Sequence, residues 1–410
     1  MNIRTSVNNA KVWAMILVTV AVPSECVCAS QAYLVSEEFG RRLWRIEDLN
    51  GDGDALDAGE QTLWADNFVG NLLGMETTVG AVYVTENGLP GGDARVVRLI
   101  DANRDGDALD EGEWSIWAEG LAAAGDVVRA EAGNWFVSDF VNHQVWQLLD
   151  QNNDGDALDI GEITLFGSGI SDPFALLVQG NSLLVPSSGV NGQVHRLVDL
   201  NSDGDALDIG EIQVITPSFT NILGLLDDGS GGFYFSSLSE DTVYHASDRN
   251  GDGDMLDVAE VLSYADTVFG LLNGPRGMVS YHAGGFLLVD SLNDQIKWVR
   301  DITRDHDALD MGEVVLFASG IDGPVDIVAL LSGLPGDFDF DGDVDGRDFL
   351  LWQRGRSPRP LSVADLQDWQ DNYGLGTSLT TTLAVVPEPS SVAICWLLGF
   401  FLCQRRPSSH

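Results

Sequence analysis

Cysteine is almost absent from the body of this 410-residue chain. The four cysteines stand at its ends, Cys26 and Cys28 near the start and Cys395 and Cys403 near the finish, so no disulfide staples the residues between. Positive charge is scarce too: 21 lysines and arginines face 63 aspartates and glutamates, a formal net charge of -42. That surplus repels phosphate and excludes nucleic acid as a partner, while acids that cluster attract divalent cations. Catalytic groupings are also missing. His143, His195 and His245 fall in predicted third strands and His282 alone near a turn; they form no His-x-x-x-His spacing and no Ser/His/Asp set. Long hydrophobic runs are lacking as well. The uninterrupted one near the end, Val392 to Cys403, spans about 18 Å as a helix at ~1.5 Å per residue, short of the roughly 30 Å hydrocarbon core.

Both ends nevertheless carry processing signals. Arg4 and Lys11 precede an apolar run from Val12 to Val22 and small residues around Ala29-Ser30, the pattern of a secretory signal peptide over 1–30 with cleavage near Ala29 or Ser30. Neither Cys26 nor Cys28 follows the short aliphatic box of a lipoprotein. At the other end Pro387-Glu388-Pro389 precedes the apolar run, and Arg405-Arg406 follows it. This order resembles the PEP-CTERM sorting tail, which implies processing by an exosortase-like membrane protease and delivery to the cell envelope, outer surface or extracellular matrix. Residues 377–391 read as a Thr/Ser/Pro linker, and 392–410 as a transient or permanent membrane segment with a basic end.

Between the ends one phrase, Asp-x-Asn-x-Asp-Gly-Asp-Ala-Leu-Asp-x-Gly-Glu, recurs six times with small variations, starting at Asp48, Asp101, Asp150, Asp199, Asp248 and Asp301. Spacings of 53, 49, 49, 49 and 53 match the length of a propeller blade. Alternating apolar residues predict four strands per unit. In the fourth unit these are Phe174 to Val178, Ser182 to Val185, Gln193 to Val198 and, beyond the acidic phrase, Ile212 to Ile215. The first unit lacks its first strand, and an unclaimed one, Val325 to Leu331, follows the sixth. The fold predicted for 31–334 is therefore all-β, a six-bladed β-propeller with four-stranded blades whose last strand closes blade one. Stretches such as Trp135-Phe136-Val137-Ser138-Asp139 with Gln144-Val145-Trp146 resemble six-bladed propellers of the NHL and gluconolactonase-like groups.

Each acidic phrase sits between the third and fourth strands and opens like an EF-hand loop, with oxygen donors at positions 1, 3, 5 and 7 and glycine at 6. Candidate calcium ligands are Asp48, Asn50, Asp52, Asp54 and Asp57 in the first loop, and Asp101, Asn103, Asp105, Asp107 and Asp110 in the second. The third has Asp150, Asn152, Asp154, Asp156 and Asp159; the fourth Asp199, Asn201, Asp203, Asp205 and Asp208; the fifth Asp248, Asn250, Asp252, Asp254 and Asp257. The sixth keeps Asp301, Asp305, Asp307 and Asp310 but has Thr303 at position 3 and His306 at position 6, so it is expected to bind most weakly. Where an EF-hand has a bidentate Glu at position 12, these loops have glycine or Ala259, and the closing ligand is either Asp at position 10 or Glu at position 13. The alternative to metal is a set of Asx-turns. With the motif described next, the loops hold 37 of the 63 acids, a density whose self-repulsion calls for cations, at the roughly 0.1–1 mM affinities of extracellular calcium modules.

The stretch from Asp337 to Asp348 resembles a dockerin calcium loop, with Asp337, Asp339, Asp341, Asp345 and Asp348 at positions 1, 3, 5, 9 and 12, Asp343 at 7 and Gly342 at 6. That brings the expected calcium sites to about seven. A helix is expected from Phe349 to Arg354, and the stretch from Asp365 to Gln370 echoes the one from Asp348 to Gln353 without a loop of its own. The resemblance implies a small α-helical module over 335–376 and a cohesin-like or envelope-protein partner; a calcium-stiffened spacer is the plainer alternative.

An enzyme would need convergent groups at the channel. Glu37, Glu86, Asp139 and Asp290, with Ser188 and Ser237, stand where the second strands end, and form either a carboxylate ring or a set of blade-edge caps. Trp44, Trp146 and Trp298 recur in third strands, as packing residues or as a platform for polysaccharide. The sequence thus favours an exported, calcium-binding propeller with a structural, adhesive or interaction role and no catalytic residues; the alternatives are a carbohydrate-binding module and a propeller lactonase or hydrolase with a central metal.

Overall fold

A computed structural model describes residues 31–375 except 90–91, 131–132, 153, 269–270, 332–333, 335, 339–343 and 355–362. The expected signal peptide, linker and sorting tail, and Asp339, Asp341 and Asp343, lie outside the described residues. Among those described, no helix is long and apolar enough to cross a membrane.

Twenty-four strands form six four-stranded antiparallel sheets. In five blades the strands follow chain order. In blade one, Tyr33–Glu37, Arg42–Ile46 and Gln61–Ala65 are joined by the last strand, Pro324–Ala329. Its register against the first is Tyr33↔Ala329, Leu34↔Val328 and Val35↔Ile327, with a bulge before Glu37↔Pro324. The predicted ring closure is therefore observed, one residue earlier at its start and two earlier at its end than the alternation indicated. In the fourth blade the first strand shrinks to Leu177–Gln179: Pro173 forms only an isolated bridge to Ser187, and the Leu176 N–H is given to Asp126 of the preceding blade.

The first strands touch one another around the axis in a closed order: Pro324–Ala329, Asn71–Thr78, Val127–Arg129, Leu177–Gln179, Ile222–Asp227, Pro275–Ser280 and back to Pro324–Ala329. Second strands such as Tyr33–Glu37, Trp135–Asp139 and Phe286–Asp290 are buried along their whole length, since a sheet enclosed by blades on both sides has no solvent face. The core is accordingly six clusters, one at each junction between blades. The cluster joining blades six and one packs Tyr33, Val35 and Ile46 against Leu287, Trp298 and Phe317.

Two helices follow the ring, α1 (Gly346–Gln353) and α2 (Val363–Asn372). The first starts three residues before the expected Phe349, because Asp345 caps it by accepting the Arg347 N–H while Asp348 reaches back to the Asp345 N–H, a capping box. Phe349 packs on Trp369 with ring centroids 4.7 Å apart.

Candidate functional site

The acidic loops share one internal architecture, built from the position-1 aspartate. In loop one Asp48 Oδ1 accepts the N–H groups of Gly51 and Asp52 at 2.6 and 3.2 Å, and Oδ2 accepts that of Gly53 at 2.9 Å. Asp199 repeats the pattern with Ser202, Asp203 and Gly204. The balance differs between loops: at Asp248 burial is outweighed by N–H donors from Gly251, Gly253, Asp252 and Asn250, which bring its pKa below the usual value, whereas at Asp101 burial outweighs the N–H groups of Gly106, Arg104 and Asp105 and raises it.

The position-3 asparagine draws two further carboxylates together. Asn50 Nδ2 donates to Asp52 Oδ2 at 3.1 Å and to Asp57 Oδ2 at 2.7 Å; Asn201 does the same to Asp203 and Asp208 at 2.9 and 2.6 Å. Asn103, Asn152 and Asn250 bridge the corresponding pairs in loops two, three and five. In loop six the Thr303 hydroxyl reaches only Asp305. There, among the described residues, carboxylate oxygens of Asp301, Asp305 and Glu313 lie within 4.8 Å of one another. The loop with the poorest match to the repeat thus has the tightest carboxylate grouping.

The two candidate closing residues are held differently. Glu60, buried, spends Oε1 on the Leu49 N–H and Oε2 on the Asp57 N–H, both at 3.0 Å. Glu113, Glu162, Glu211, Glu260 and Glu313 are buried and bonded alike. Glu at 13 thus ties the loop internally, although Glu313 also groups with Asp301 and Asp305, while Asp at 10 faces the position-3 asparagine in loops one to five. Position 12 cannot carry an EF-hand glutamate at ordinary cost, because its φ is left-handed, +97° at Gly59 and +95° at Gly161, with Ala259 forced to +72°. Position 6 needs the same conformation, and His306 adopts φ +78° in place of glycine.

Each loop also grips the neighbouring blade. The N–H of position 8 donates to an outer-strand carbonyl of the preceding blade: Ala55 to Phe317, Ala108 to Trp64, Ala157 to Trp117, Ala206 to Phe166, Met255 to Ile215 and Ala308 to Tyr264, all at 2.7 or 2.8 Å. These six residues are at most 2% exposed. The set is cyclic, and the bond from Ala55 to Phe317 joins the first blade to the sixth.

In the module after the ring, Asp348 plays the inward role of Glu at 13. Its oxygens accept the Phe338 N–H at 2.5 Å and the Asp345 N–H at 2.7 Å.

The axis holds carboxylates that the sequence pattern did not single out. Asp326, in the last strand, and Asp126, directly before the first strand of blade three, stand at one register, where blades two, five and six have Gly74, Gly224 and Gly277. Each is a strap between blades: Asp326 Oδ2 accepts the Met75 N–H and Asp126 Oδ2 the Leu176 N–H, both at 2.8 Å. A Cβ on Gly74 would lie 2.3 Å from Asp126 Oδ1, and one on Gly277 2.3 Å from Asp326 Oδ1. Burial first, then the charge of Asp326, pushes the Asp126 pKa well up; burial also raises that of Asp326, and Glu76 adds to both. The cavity that they line has a volume of about 40 Å³, room for water and far below the roughly 300–1,000 Å³ of a small-molecule site.

The proposed carboxylate ring at the second-strand ends is not brought together. Glu37 bonds Arg42, Trp44 and the Asp322 N–H; Glu86 bonds the Val69 and Gly70 N–H groups and Arg95. Asp139 caps Asn142, and Asp290 caps Asn273 and Asn293. Ser188 and Ser237 bond the carbonyls of Ile222 and Thr220. All are ties at blade edges. The tryptophans pack likewise: Trp44 and Trp298 against the cluster of blades six and one, Trp146 against that of blades two and three. Against the expectation of a third-strand place, His143 lies in the turn before the strand Gln144–Leu148, with φ +57°; His245 bonds Asp228 at 2.8 Å, and His143, His195 and His245 belong to three different blades.

No protein-family model matches the chain, and no curated protein does. Among solved structures, the chain is similar to one from a nidogen/laminin complex, with 11% identity over 74% of this chain and 99% of that one and a TM-score of 0.53. An aldose sugar dehydrogenase from Streptomyces coelicolor, in its PQQ-bound form, gives 12%, 70%, 90% and 0.44 on the same measures. Virginiamycin B lyase from Staphylococcus aureus gives 12%, 64%, 78% and 0.41. At these identities the likeness extends to the propeller fold, and the activities remain those of the other proteins.

Proposed function

We propose that this protein is an exported calcium-binding propeller displayed at the cell surface or in the extracellular matrix, where calcium in its loops stiffens a structural or adhesive platform. The observation that carries the reading is the loop's double role: its position-3 amide draws the carboxylates of positions 5 and 10 together above a position-1 aspartate that holds the turn and, through position 8, it clamps the preceding blade. The donors fit calcium: they are hard oxygens, mostly anionic, at the spacing of a loop that wraps a large cation. Asn50, turned about its amide, would present Oδ1 to an ion at the place that Nδ2 now bridges, giving up the Asp52 N–H that Oδ1 now accepts at 2.8 Å. An ion there neutralises the repulsion among carboxylates and braces the clamp, so ring cohesion and calcium binding are linked. Export, exosortase-like processing and a cohesin-like or envelope-protein partner belong to the same proposal and rest on the sequence signals at the chain's ends and in its module.

The test is calcium titration by calorimetry with thermal unfolding. About seven ions and a melting temperature at least 10 °C higher in calcium than in chelator are expected. Uptake of one ion or none, or equal melting temperatures, would sink the reading.

A second reading, a carbohydrate-binding or hydrolytic propeller, has one feature in its favour. A cleft of about 570 Å³ between loop one and blade six is lined by Asp48, Asp52, Tyr281, His282, Trp298 and Arg300. Arg300 already covers the Trp298 ring at 3.8 Å, which removes that face as a sugar platform.

A further inference from the structure

Position 11 of the acidic loops is an aliphatic side chain in four consecutive blades: Ile160, Ile209, Val258 and Met311, with relative exposures of 106, 105, 98 and 82%. Apolar side chains so far out of the surface are not covering a core, and here the same position is used four times in succession. Every one of these loops joins a third strand to a fourth, so the four project from one face of the ring along an arc. Blades one and two carry Ala58 and Glu111 instead, and it is at loop two that α2 meets the ring, through Arg104 and Asp368 at 2.5 Å.

The loops leave calcium incompletely wrapped. Calcium takes 6–8 oxygens, yet position 12 offers no side-chain donor and both oxygens of Glu at 13 are turned inward onto N–H groups. An ion held by positions 1, 3, 5, 7 and 10 would keep coordination sites open beside the projecting position 11. An outside oxygen anion fits there by charge, and only while the ion is present, because the bare loops repel anions. Isolated aliphatic prongs in an arc, each next to an open cation, suit a fluid apolar layer with anionic oxygens above it better than one rigid protein pocket.

We propose that the loop face of blades three to six docks onto a phospholipid surface, with Ile160, Ile209, Val258 and Met311 entering the headgroup layer and loop-bound calcium taking lipid phosphate oxygens. This rests on the calcium reading above. The experiment is co-sedimentation of the full chain with phosphatidylcholine/phosphatidylserine vesicles in calcium and in EGTA, the difference between the two removing any contribution of the C-terminal apolar run. Calcium uptake is titrated separately. The variant Ile160→Ser/Ile209→Ser/Val258→Ser/Met311→Ser alters only exposed side chains; it is expected to keep the calcium stoichiometry and melting temperature of the parent and to lose at least ten-fold in calcium-dependent vesicle binding. Unchanged binding by the variant would overturn the proposal. So would a parent that takes up calcium without added vesicle binding, which would assign the arc to a protein partner. A parent that takes up no calcium would fail the calcium reading first, and the titration shows which of the two has failed.

Discussion

Aspartates at the axis and at the rim of this propeller share a side chain and little else. Asp126 and Asp326 are enclosed between blades, each tied by a backbone N–H of the next blade, and border a cavity of about 40 Å³. At the rim Asp52 and Asp57 converge in the open, held together by an asparagine amide. Solvation decides the outcome. Enclosure favours the protonated acid at the axis, whereas the exposed rim carboxylates stay accessible to cations.

The sharpest way to break this comparison is within one loop, because Glu162 is an axis-like acid placed at the rim. Its buried carboxylate accepts the N–H groups of Gln151 and Asp159 at 2.8 and 3.0 Å. Glu162→Ala leaves those donors unpaired in a buried place and is expected to destabilise the chain by about 3 kcal/mol, in calcium and chelator alike. Asp159→Asn, three residues away, should do the reverse: weaken calcium uptake by one site and leave stability in chelator unchanged or slightly higher, since it removes a repelling charge. Denaturant unfolding of both variants under both conditions checks this; equal calcium dependence of the two losses would make Glu162 a ligand after all.

At the hub the comparison is sharpened by pH. Asp326 is raised to about 7 in the fold against an ordinary value near 3.9. The folded state therefore binds more protons than the unfolded chain between those values, and this contribution to stability is present at low pH and lost as pH rises toward 7. Asp326→Asn, uncharged throughout, should flatten the fall between pH 5 and 8 by on the order of 2 kcal/mol, with chelator present to hold the rim constant. An unchanged slope would place the proton elsewhere.

Ring, blade count and loops were legible because repetition writes them six times over: a 49- or 53-residue period, a missing strand at one end and a spare strand at the other. The module's helix was legible through its echo, although its start was not, since Asp345 and Asp348 read equally well as ligands and as a capping box. The hub was not legible. Asp126 and Asp326 occur in two blades of six, one directly before a short first strand and one in a bulged one, and only the register shows that they share a position with glycines. The roles of positions 8 and 13 were hidden for another reason. Alanine in a loop carries no chemical signal, and its function here is a backbone N–H given to a neighbouring blade, as from Ala157 to Trp117 or, across the ring closure, from Ala55 to Phe317.

The smallest effect separates loop six from its five companions. His306 occupies a position where the other loops have glycine, and its φ of +78° is a conformation that costs a residue with a Cβ about 1 kcal/mol. His306→Gly should therefore raise stability in chelator by about 1 kcal/mol, a melting-temperature gain of a few degrees at most. Strain in the loop opposes the geometry that brings Asp301 and Asp305 together. Its relief should also strengthen calcium uptake at that loop, several-fold at most if the whole strain energy is coupled to binding. A variant no more stable than the parent would mean that the turn is set by Asp301, which accepts both the Arg304 and His306 N–H groups, firmly enough for the residue at position 6 to be immaterial.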